Sequence, residues 1–495
     1  MPIQNQQRHQ TRDNVMQDFF QNYVNGSWID GGGGRLSVTN PGTGAHLADM
    51  ALADAADIDR AVAAALACHE SGALSDLRPV ERSRMVRKMG QFMLDNKAEI
   101  AELLCLESGK PLWEAVIEVE GTARYFEYYG NQAETVEGRS IPLGADYLDY
   151  TIYEPIGVSA QIIPWNYPIE MTARGIAVAL ATGNTCVVKT PELDPLSTTW
   201  LARAGEAAGL PRGALNILCG YGHEAGAALS NHPDIGNVVF TGSVATGIKV
   251  AVAAAQNVVP AILELGGKSA AIVMPDADLD QVMDSMRWGI FFNAGQVCSA
   301  MSRVIAHPDV HDEIVERAVG LAESLSVGPG IERTAFGANM GAMVSDNQRD
   351  RAEGLCKHAA SEGATIAIGG HRLNQPGSFL APTIITDVTP DMQIASTEVF
   401  GPVLSVLKAD DEADAIRIAN STEFGLVGGI FTRDIDAAHR AARKIKAGQI
   451  FVNEWFAGGV ETPFGGYGKS GYGREKGREA LLNYVQTKNI AYRTR

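Results

Sequence analysis

The sequence has no hydrophobic run long enough to cross a membrane. A spanning helix needs about 20 consecutive apolar residues, and the longest candidate, 175–188, is interrupted by the four residues TGNT at 182–185. The first ten residues, MPIQNQQRHQ, are polar and lack the apolar segment of a secretory signal. We therefore expect a cytoplasmic protein without a membrane partner.

Basic residues are also scarce. The chain has 41 Lys and Arg against 58 Asp and Glu, a formal net charge of −17, and no Lys/Arg block stands out. Such a surface repels phosphate backbones. We therefore expect no nucleic-acid partner.

Paired cysteines are absent. None of the six cysteines forms a CxxC pair, and none stands at zinc-finger spacing with a histidine. Without an export signal, six cysteines in a long chain indicate reduced thiols. We expect neither a disulfide framework nor a metal site.

What the sequence does have is the composition of an ordinary globular protein, with 495 residues of which 45% are hydrophobic. From Gly157 onward, short strand and helix patterns alternate. Strands are predicted at 158–162, 185–188, 215–218, 235–240 and 260–264, with helices at 169–181, 197–208 and 243–255. This order predicts a parallel, doubly wound, Rossmann-like α/β sheet. A hairpin at 23–30 and helices at 55–68 and 80–106 are predicted before it, and a second α/β segment after it, at about 265–461.

Polar residues stand at three strand ends of this sheet, where ligands bind in such folds. Asn166 lies between two prolines that stiffen its loop, and its amide is either an oxyanion donor or the cap of the next helix. Lys189 and Glu192 are either a ribose-binding pair or a solvated ion pair. Ser243 follows Gly242 at the start of a helix, in a turn that suits either a phosphate or close packing.

Two further residues offer reactive groups. Glu264 ends a buried strand, where a carboxyl group has a raised pKa that suits a general base, unless it pairs with Lys268 or caps a backbone group. Cys298 lies in the loop that follows the helix break near Gly295. An accessible thiol is a nucleophile when its pKa is lowered, although most single cysteines are structural.

Seven segments in order make the chain resemble the NAD(P)⁺-dependent aldehyde dehydrogenases over nearly its whole length. They are PWNYP (164–168), VKTPE (188–192), FTGS (240–243), LELGGK (263–268), GQVCSA (295–300), EVFGP (398–402) and PFGGYGKSGYGRE (463–475). The resemblance implies that the Cys298 thiolate attacks an aldehyde and that Asn166 and the Cys298 backbone N–H hold the oxyanion. After hydride transfer to a nicotinamide, water deprotonated by Glu264 hydrolyses the thioester to a carboxylic acid.

The resemblance further implies a set of coenzyme-binding residues: Trp165, Lys189, Glu192, Gly242, Ser243, Gly266, Glu398 and Phe400. Lys189 and Glu192 would hold the adenosine ribose, Ser243 the pyrophosphate, and Glu398 with Phe400 the nicotinamide ribose. Because Glu192 repels a 2′-phosphate, NAD⁺ is favoured over NADP⁺.

By the same resemblance, the aldehyde tunnel is lined by Glu170, Met171, Arg174, Trp288, Phe292, Phe456 and Phe464. The aromatic residues suit an apolar or aromatic aldehyde, whereas Arg174 suits a carboxylated one. Many family members have a lysine at position 175, next to Arg174, and that lysine pairs with a glutamate at the position of Glu475. Here Arg174 pairs either with Glu475 or with Glu170, one helical turn away.

The family architecture implies a coenzyme domain of 1–133 and 154–264, a catalytic domain of 265–466 and an oligomerisation element of 134–153 and 482–495, assembled as a homodimer or homotetramer. Two alternatives stay open. A CoA-acylating semialdehyde dehydrogenase passes the acyl group to CoA, although such enzymes typically lack a base like Glu264. A non-catalytic binding or structural member would not need Cys298, Glu264 and Asn166.

Overall fold

The computed structural model of the protein describes residues 17–333 and 335–495. The polar segment 1–10, from which we expect no export signal, lies outside the described residues. Within those residues, every helix is too short or too polar to span a membrane. The alternating strands and helices build two large sheets, one from each α/β segment.

The first large sheet has eight strands within the described residues. In spatial order they are Gly471–Tyr472, Ala261–Leu265, Asn237–Gly242, Val158–Ile162, Thr185–Thr190, Leu215–Cys219, Asn22–Val24 and Ser27–Ile29. The five strands between 158 and 265 are parallel, which confirms the predicted doubly wound sheet. Antiparallel strands from distant parts of the chain close both edges.

The second large sheet has seven strands within the described residues. In spatial order they are Thr365–Ile368, Thr383–Thr386, Val403–Lys408, Arg303–Ala306, Ala270–Val273, Val427–Phe431 and Gln449–Val452. All neighbours are parallel except for the first pair. The second α/β segment predicted at about 265–461 therefore forms a sheet of its own.

Smaller sheets lie outside these two. One antiparallel sheet, here called the peripheral sheet, joins Ser140–Ile141, Tyr147–Pro155 and Val485–Arg493, and so combines the two segments predicted as the oligomerisation element. The remaining strands are Phe19–Phe20, Gly34–Thr39 and His46–Leu52 in one sheet, Ser326–Val327 with Asn339–Met340, and Phe424–Gly425 with Tyr467–Gly468.

The α-helices of the described residues pack on the two large sheets and on one another. They are Ala55–Glu70, Pro79–Asp95, Lys97–Ser108, Leu112–Gln132, Pro168–Ala181, Thr199–Ala208, Ala227–Ser230, Val244–Gln256, Leu279–Met286, Pro308–Ser324, Asp346–Ser361, Gln393–Ser396, Glu412–Ala419 and Ile435–Lys444. The prediction of a single helix at 80–106 is wrong, because the helix is interrupted at Asn96. There φ is −111°, and the Asn96 side chain donates a hydrogen bond to the carbonyl of Phe92 at 2.7 Å, which ends the first helix.

Local sequence explains the elements that position the site. The predicted turn at Asn25 and Gly26 forms with φ of 51° and 70°, because Asn and Gly tolerate the left-handed region. The helix Pro168–Ala181 starts with proline, whose missing N–H costs nothing in the first turn. This helix is buried on nearly all sides, so the loop that precedes it is fixed from both ends.

Candidate active site

The candidate site lies where the carboxyl ends of the eight-stranded sheet face the loop at 292–298. Asn166 follows the strand Val158–Ile162, and Glu264 lies in the strand Ala261–Leu265. The side-chain amide of Asn166 donates to the backbone carbonyl of Gln296 at 3.0 Å. Three residues predicted from separate segments, Asn166, Glu264 and Cys298, therefore meet at one place.

Asn166 is buried and held through both its backbone and its side chain. Its backbone carbonyl accepts hydrogen bonds from Lys110 Nζ at 3.0 Å and from Asn293 Nδ2 at 2.9 Å. The cap of the following helix is Tyr167, which makes no side-chain cap, so Asn166 does not serve as the helix cap. One of its two amide hydrogens binds Gln296, which leaves the other for a ligand.

The loop that carries Cys298 is strained and well connected. Asn293 and Ala294 have φ of 49° and 51°, a region that residues with a Cβ seldom adopt. Gln296 holds this conformation, because its side chain donates to the carbonyl of Asn293 at 3.0 Å and accepts from the N–H of Val344 at 2.9 Å. The backbone N–H of Cys298 donates to no described residue. It is therefore free to act as an oxyanion donor.

Glu264 and Cys298 lie close enough for each to change the ionisation of the other. Burial raises the pKa of Glu264 to about 8, while the Arg174 guanidinium acts against this shift. Burial also raises the pKa of the Cys298 thiol, and the Glu264 carboxylate raises it further. Lys268 is not the partner of Glu264, because its ammonium group makes no hydrogen bond to the Glu264 carboxyl. A buried carboxyl group with a raised pKa, next to a thiol, can act as a general base.

The predicted adenosine-side residues follow the next strand ends. Lys189 is the next-to-last residue of the strand Thr185–Thr190, and its ammonium group lies 2.7 Å from the Glu192 carboxylate. Lys189 is buried, so this is not a solvated surface pair. Ser243 caps the helix Val244–Gln256 by accepting from the N–H of Thr246 at 3.3 Å, directly after Gly242. An exposed helix start and a Lys–Glu pair whose lysine is buried fit the phosphates and ribose of a dinucleotide.

The predicted nicotinamide-side residues form a second group. The Glu398 carboxylate accepts a hydrogen bond from the N–H of Gly267 at 2.9 Å, and burial raises its pKa to about 7. A side chain at Gly266 would collide with this carboxylate, which explains the glycine. Phe400 has φ of 59° and its ring meets that of Trp165 edge to face at 5.2 Å. A strained loop therefore presents an acid and an aromatic ring together.

A cavity of about 410 Å³ opens beside Cys298. Six of the seven predicted tunnel residues line it: Glu170, Met171, Arg174, Phe292, Phe456 and Phe464. Trp288 does not. Its ring packs against Trp113, Phe336 and the ring of Phe292, so it lies behind the cavity wall. The wall is mostly apolar, which suits a small organic substrate.

Arg174 pairs with Glu475 rather than with Glu170. The distance from Arg174 Nη2 to Glu475 Oε2 is 2.6 Å, and both side chains are nearly buried. Glu170 makes no ion pair among the described residues, and burial, with help from the charge of Glu118, raises its pKa to about 7. Arg174 thus takes the place that the resemblance assigned to a neighbouring lysine.

Sequence reasoning missed a buried ionic group beneath Asn166. Lys110 and Glu118 form an ion pair with both side chains about 1% exposed, and the Lys110 ammonium group lies 4.6 Å from the centroid of the Tyr167 ring. Glu118 also accepts from the N–H of Ile169 at 3.2 Å, while Glu114 accepts from the N–H of Asn293 at 2.9 Å. The only signal in the sequence was the pair Glu114 and Glu118, four residues apart in the otherwise apolar stretch 112–119.

Known proteins resemble this chain in sequence and in fold. A family model described as the aldehyde dehydrogenase family matches residues 28–490. The chain is 40% identical to the Arabidopsis thaliana protein "Aldehyde dehydrogenase family 2 member B4, mitochondrial" over 94% of this chain and 87% of that one. It is 39% identical to the Antirrhinum majus "Benzaldehyde dehydrogenase, mitochondrial" over 94% and 88%. A solved NAD⁺ complex of a Bacillus cereus aldehyde dehydrogenase superposes with a TM-score of 0.95 at 38% identity, over 98% and 99% of the two chains.

Proposed function

The chain belongs to the aldehyde dehydrogenase family and is an NAD⁺-dependent oxidoreductase that converts an aldehyde to a carboxylic acid, and on this premise we propose which of its residues do the chemistry. Cys298 is the nucleophile, Asn166 an oxyanion donor and Glu264 the general base. The observation that carries this proposal is that Asn166 and Glu264 flank the loop of Cys298 at the end of one cavity.

In the first half of the reaction, the Cys298 sulfur bonds to the aldehyde carbon and the carbonyl oxygen becomes an oxyanion. Cys298 reacts as its thiolate, after its proton has passed to solvent. The free amide hydrogen of Asn166 and the N–H of Cys298 stabilise the oxyanion. NAD⁺ supplies the hydride acceptor, and loss of hydride from the former aldehyde carbon leaves a thioester on Cys298.

In the second half, a water molecule hydrolyses the thioester. Glu264 takes a proton from this water, which attacks the thioester carbon, and the Cys298 thiolate leaves. The products are a carboxylate and a regenerated thiol. The presence of Glu264 argues against the CoA-acylating alternative, because an enzyme that transfers the acyl group to CoA needs no base to deprotonate a water molecule.

For the coenzyme, we propose that Lys189 and Glu192 bind the adenosine ribose, Ser243 the pyrophosphate, and Glu398 the nicotinamide ribose. Trp165, Gly242, Gly266 and Phe400 shape the same groove. Glu192 already carries its charge, because Lys189 lowers its pKa despite partial burial. A charged carboxylate at this position repels a 2′-phosphate, which supports NAD⁺ over NADP⁺.

We propose a homodimer or homotetramer for the assembly. The helix Val244–Gln256 exposes Ile248 by 55% and Val252 by 57%, four residues apart on one face. The strand Val485–Arg493 forms an edge of the peripheral sheet. Light scattering behind a sizing column tests this, and a monomer for the wild type would refute it. Replacing Ile248 and Val252 with Glu is expected to weaken the assembly.

We also propose a cytoplasmic location. All six cysteines are free thiols, and five of them are buried. A chemistry that needs an unpaired Cys298 is compatible with a reducing compartment. Fractionation with markers for each compartment is the direct test.

The experiment that tests the function is NADH formation with NAD⁺ and a panel of aliphatic, aromatic and carboxylated aldehydes, with no CoA present. Wild-type turnover is expected, together with its loss in Cys298→Ala and its retention in Cys68→Ala, which changes a buried cysteine that does not line the cavity. Full turnover in Cys298→Ala would refute the role of Cys298. Activity only after CoA is added would favour the acylating alternative. Absence of NADH formation both with and without CoA would favour a non-catalytic member.

A further inference from the structure

One cation in the wall of the substrate cavity has no acidic partner within the described residues. Four charged side chains of residues 17–333 and 335–495 line this cavity: Arg124, Glu170, Arg174 and Lys476. Both arginines form ion pairs with carboxylates of other described residues. Lys476 forms no ion pair with any described residue, although several charged groups lie in its surroundings. Among the described residues, it is therefore the cation of this wall that is available to an anionic ligand.

The backbone holds Lys476 at the cavity in an unfavourable conformation. Its φ is 61°, in the left-handed region that side chains with a Cβ seldom adopt. On one side, Glu475 exchanges two backbone hydrogen bonds with Phe464, at 2.6 and 2.7 Å. On the other side, Gly477 donates to the carbonyl of Val460 at 2.7 Å. Strain of this kind persists only where the surroundings fix it, and it occurs often at ligand sites.

The ammonium group of Lys476 lies over an apolar surface. Its Nζ is 5.3 Å from the centroid of the Phe464 ring. Burial and the charge of Arg174 lower the pKa of Lys476, whereas Glu170, Cys298 and Glu264 act in the opposite direction. An ammonium group that is partly desolvated and unpaired is unfavourable. An anionic group on a ligand would offset that cost with a charge-assisted hydrogen bond.

The acid in the same wall does not neutralise this lysine fully. Burial raises the pKa of Glu170 to about 7. Near neutral pH, Glu170 is therefore only partly ionised. The cavity wall then carries an excess of positive charge, located at Lys476.

We propose that Lys476 binds a carboxylate on the aldehyde substrate, so that the preferred substrates carry a carboxylate as well as the reacting aldehyde group. Phe292, Phe456 and Phe464 line the same cavity and favour an apolar spacer, aliphatic or aromatic, between the two groups. Arg174, the candidate suggested by the sequence, is already neutralised by Glu475. This inference depends on the proposed reaction at Cys298.

The test compares matched pairs of aldehydes: 4-carboxybenzaldehyde with 4-methylbenzaldehyde, and 5-oxopentanoate with pentanal. The measured quantity is the ratio of kcat/KM for the carboxylated member to that for the neutral member. Lys476→Met removes the charge and keeps an unbranched side chain, whereas Lys476→Arg keeps the charge. Lys469→Met is the matched control, because Lys469 is half exposed and pairs with Glu423 outside the cavity wall.

We expect the wild type and Lys469→Met to prefer the carboxylated member of at least one pair. In Lys476→Met the ratio is expected to fall by about tenfold or more, the effect of losing one charge-assisted hydrogen bond. Lys476→Arg is expected to keep most of the preference. An unchanged ratio in Lys476→Met, or a wild-type preference for the neutral members, would overturn the inference while leaving the oxidation of aldehydes intact. Absence of wild-type turnover on all four aldehydes would overturn the proposed function and the inference with it.

Discussion

Turnover limited by thioester hydrolysis is expected to rise with pH, because Glu264 accepts a proton only when it is ionised. Burial raises the pKa of Glu264 to about 8. The ionised fraction is then about 1% at pH 6, about 9% at pH 7 and about 50% at pH 8. Activity is lost as pH falls through the raised pKa. The rate should rise roughly 50-fold between pH 6 and pH 8 and level off above pH 9.

Stopped-flow measurement of NADH separates the two halves of the reaction. The burst reports formation of the thioester, and the linear phase that follows reports its hydrolysis. We expect the linear phase to follow the ionisation of one group with a pKa near 8. Glu264→Gln should keep the burst and slow the linear phase by about a hundredfold or more, the usual contribution of a positioned base.

A matched control separates this role from a general effect of charge. Glu423 is an exposed carboxylate paired with Lys469, so Glu423→Gln should change neither phase. A linear phase that is independent of pH, or that is equally fast in Glu264→Gln, would refute the assignment of Glu264 as the base. Loss of the burst in Glu264→Gln would instead place Glu264 in the activation of Cys298.

Three further predictions follow from the site. Asn166→Ala removes one oxyanion donor and should lower kcat by about a hundredfold or more with a smaller change in KM, in steady-state assays; an unchanged kcat would remove Asn166 from the mechanism. Arg174→Met leaves the Glu475 carboxylate buried and unpaired, and should lower the free energy of unfolding by about 3–5 kcal/mol in denaturant titrations; full stability would show that the pair is dispensable. Glu192→Gln removes the charge that repels a 2′-phosphate, and should raise the ratio of kcat/KM for NADP⁺ over NAD⁺ by about tenfold, whereas an unchanged ratio would place NADP⁺ rejection elsewhere.

The fold could be predicted from the sequence because its strands and helices are short, regular and strongly patterned. The parallel strands between 158 and 265 have the apolar runs that buried strands require, and each ends at a polar or glycine-containing turn. The break at Asn96 was not predicted, because apolar spacing continues through it, whereas the backbone and the side chain of Asn96 both donate to the Phe92 carbonyl at the end of the helix.

The sequence predicted the site residues that stand in a recognisable motif. It did not predict the contacts between residues that are far apart in the chain. Lys110 supports Asn166 from 56 positions away, and nothing in its own segment indicates that contact. Arg174 had two plausible partners in the sequence, and tertiary packing selected Glu475. Trp288 has the right residue type for a tunnel wall, but the rings of Trp113 and Phe336 hold it behind that wall.

The two sides of the substrate cavity differ in the hydrogen bonds that hold them in place. This difference determines where substitutions can alter the cavity. The wall around Asn166 and Gln296 is tied by side-chain hydrogen bonds to other segments. The backbone of 456–458 donates no hydrogen bond to any described residue. Substitutions in 456–458 can therefore reshape the range of aldehydes accepted while the reacting groups keep their alignment. Laboratory evolution toward new substrates is expected to accumulate changes in 456–458 and few in 293–298.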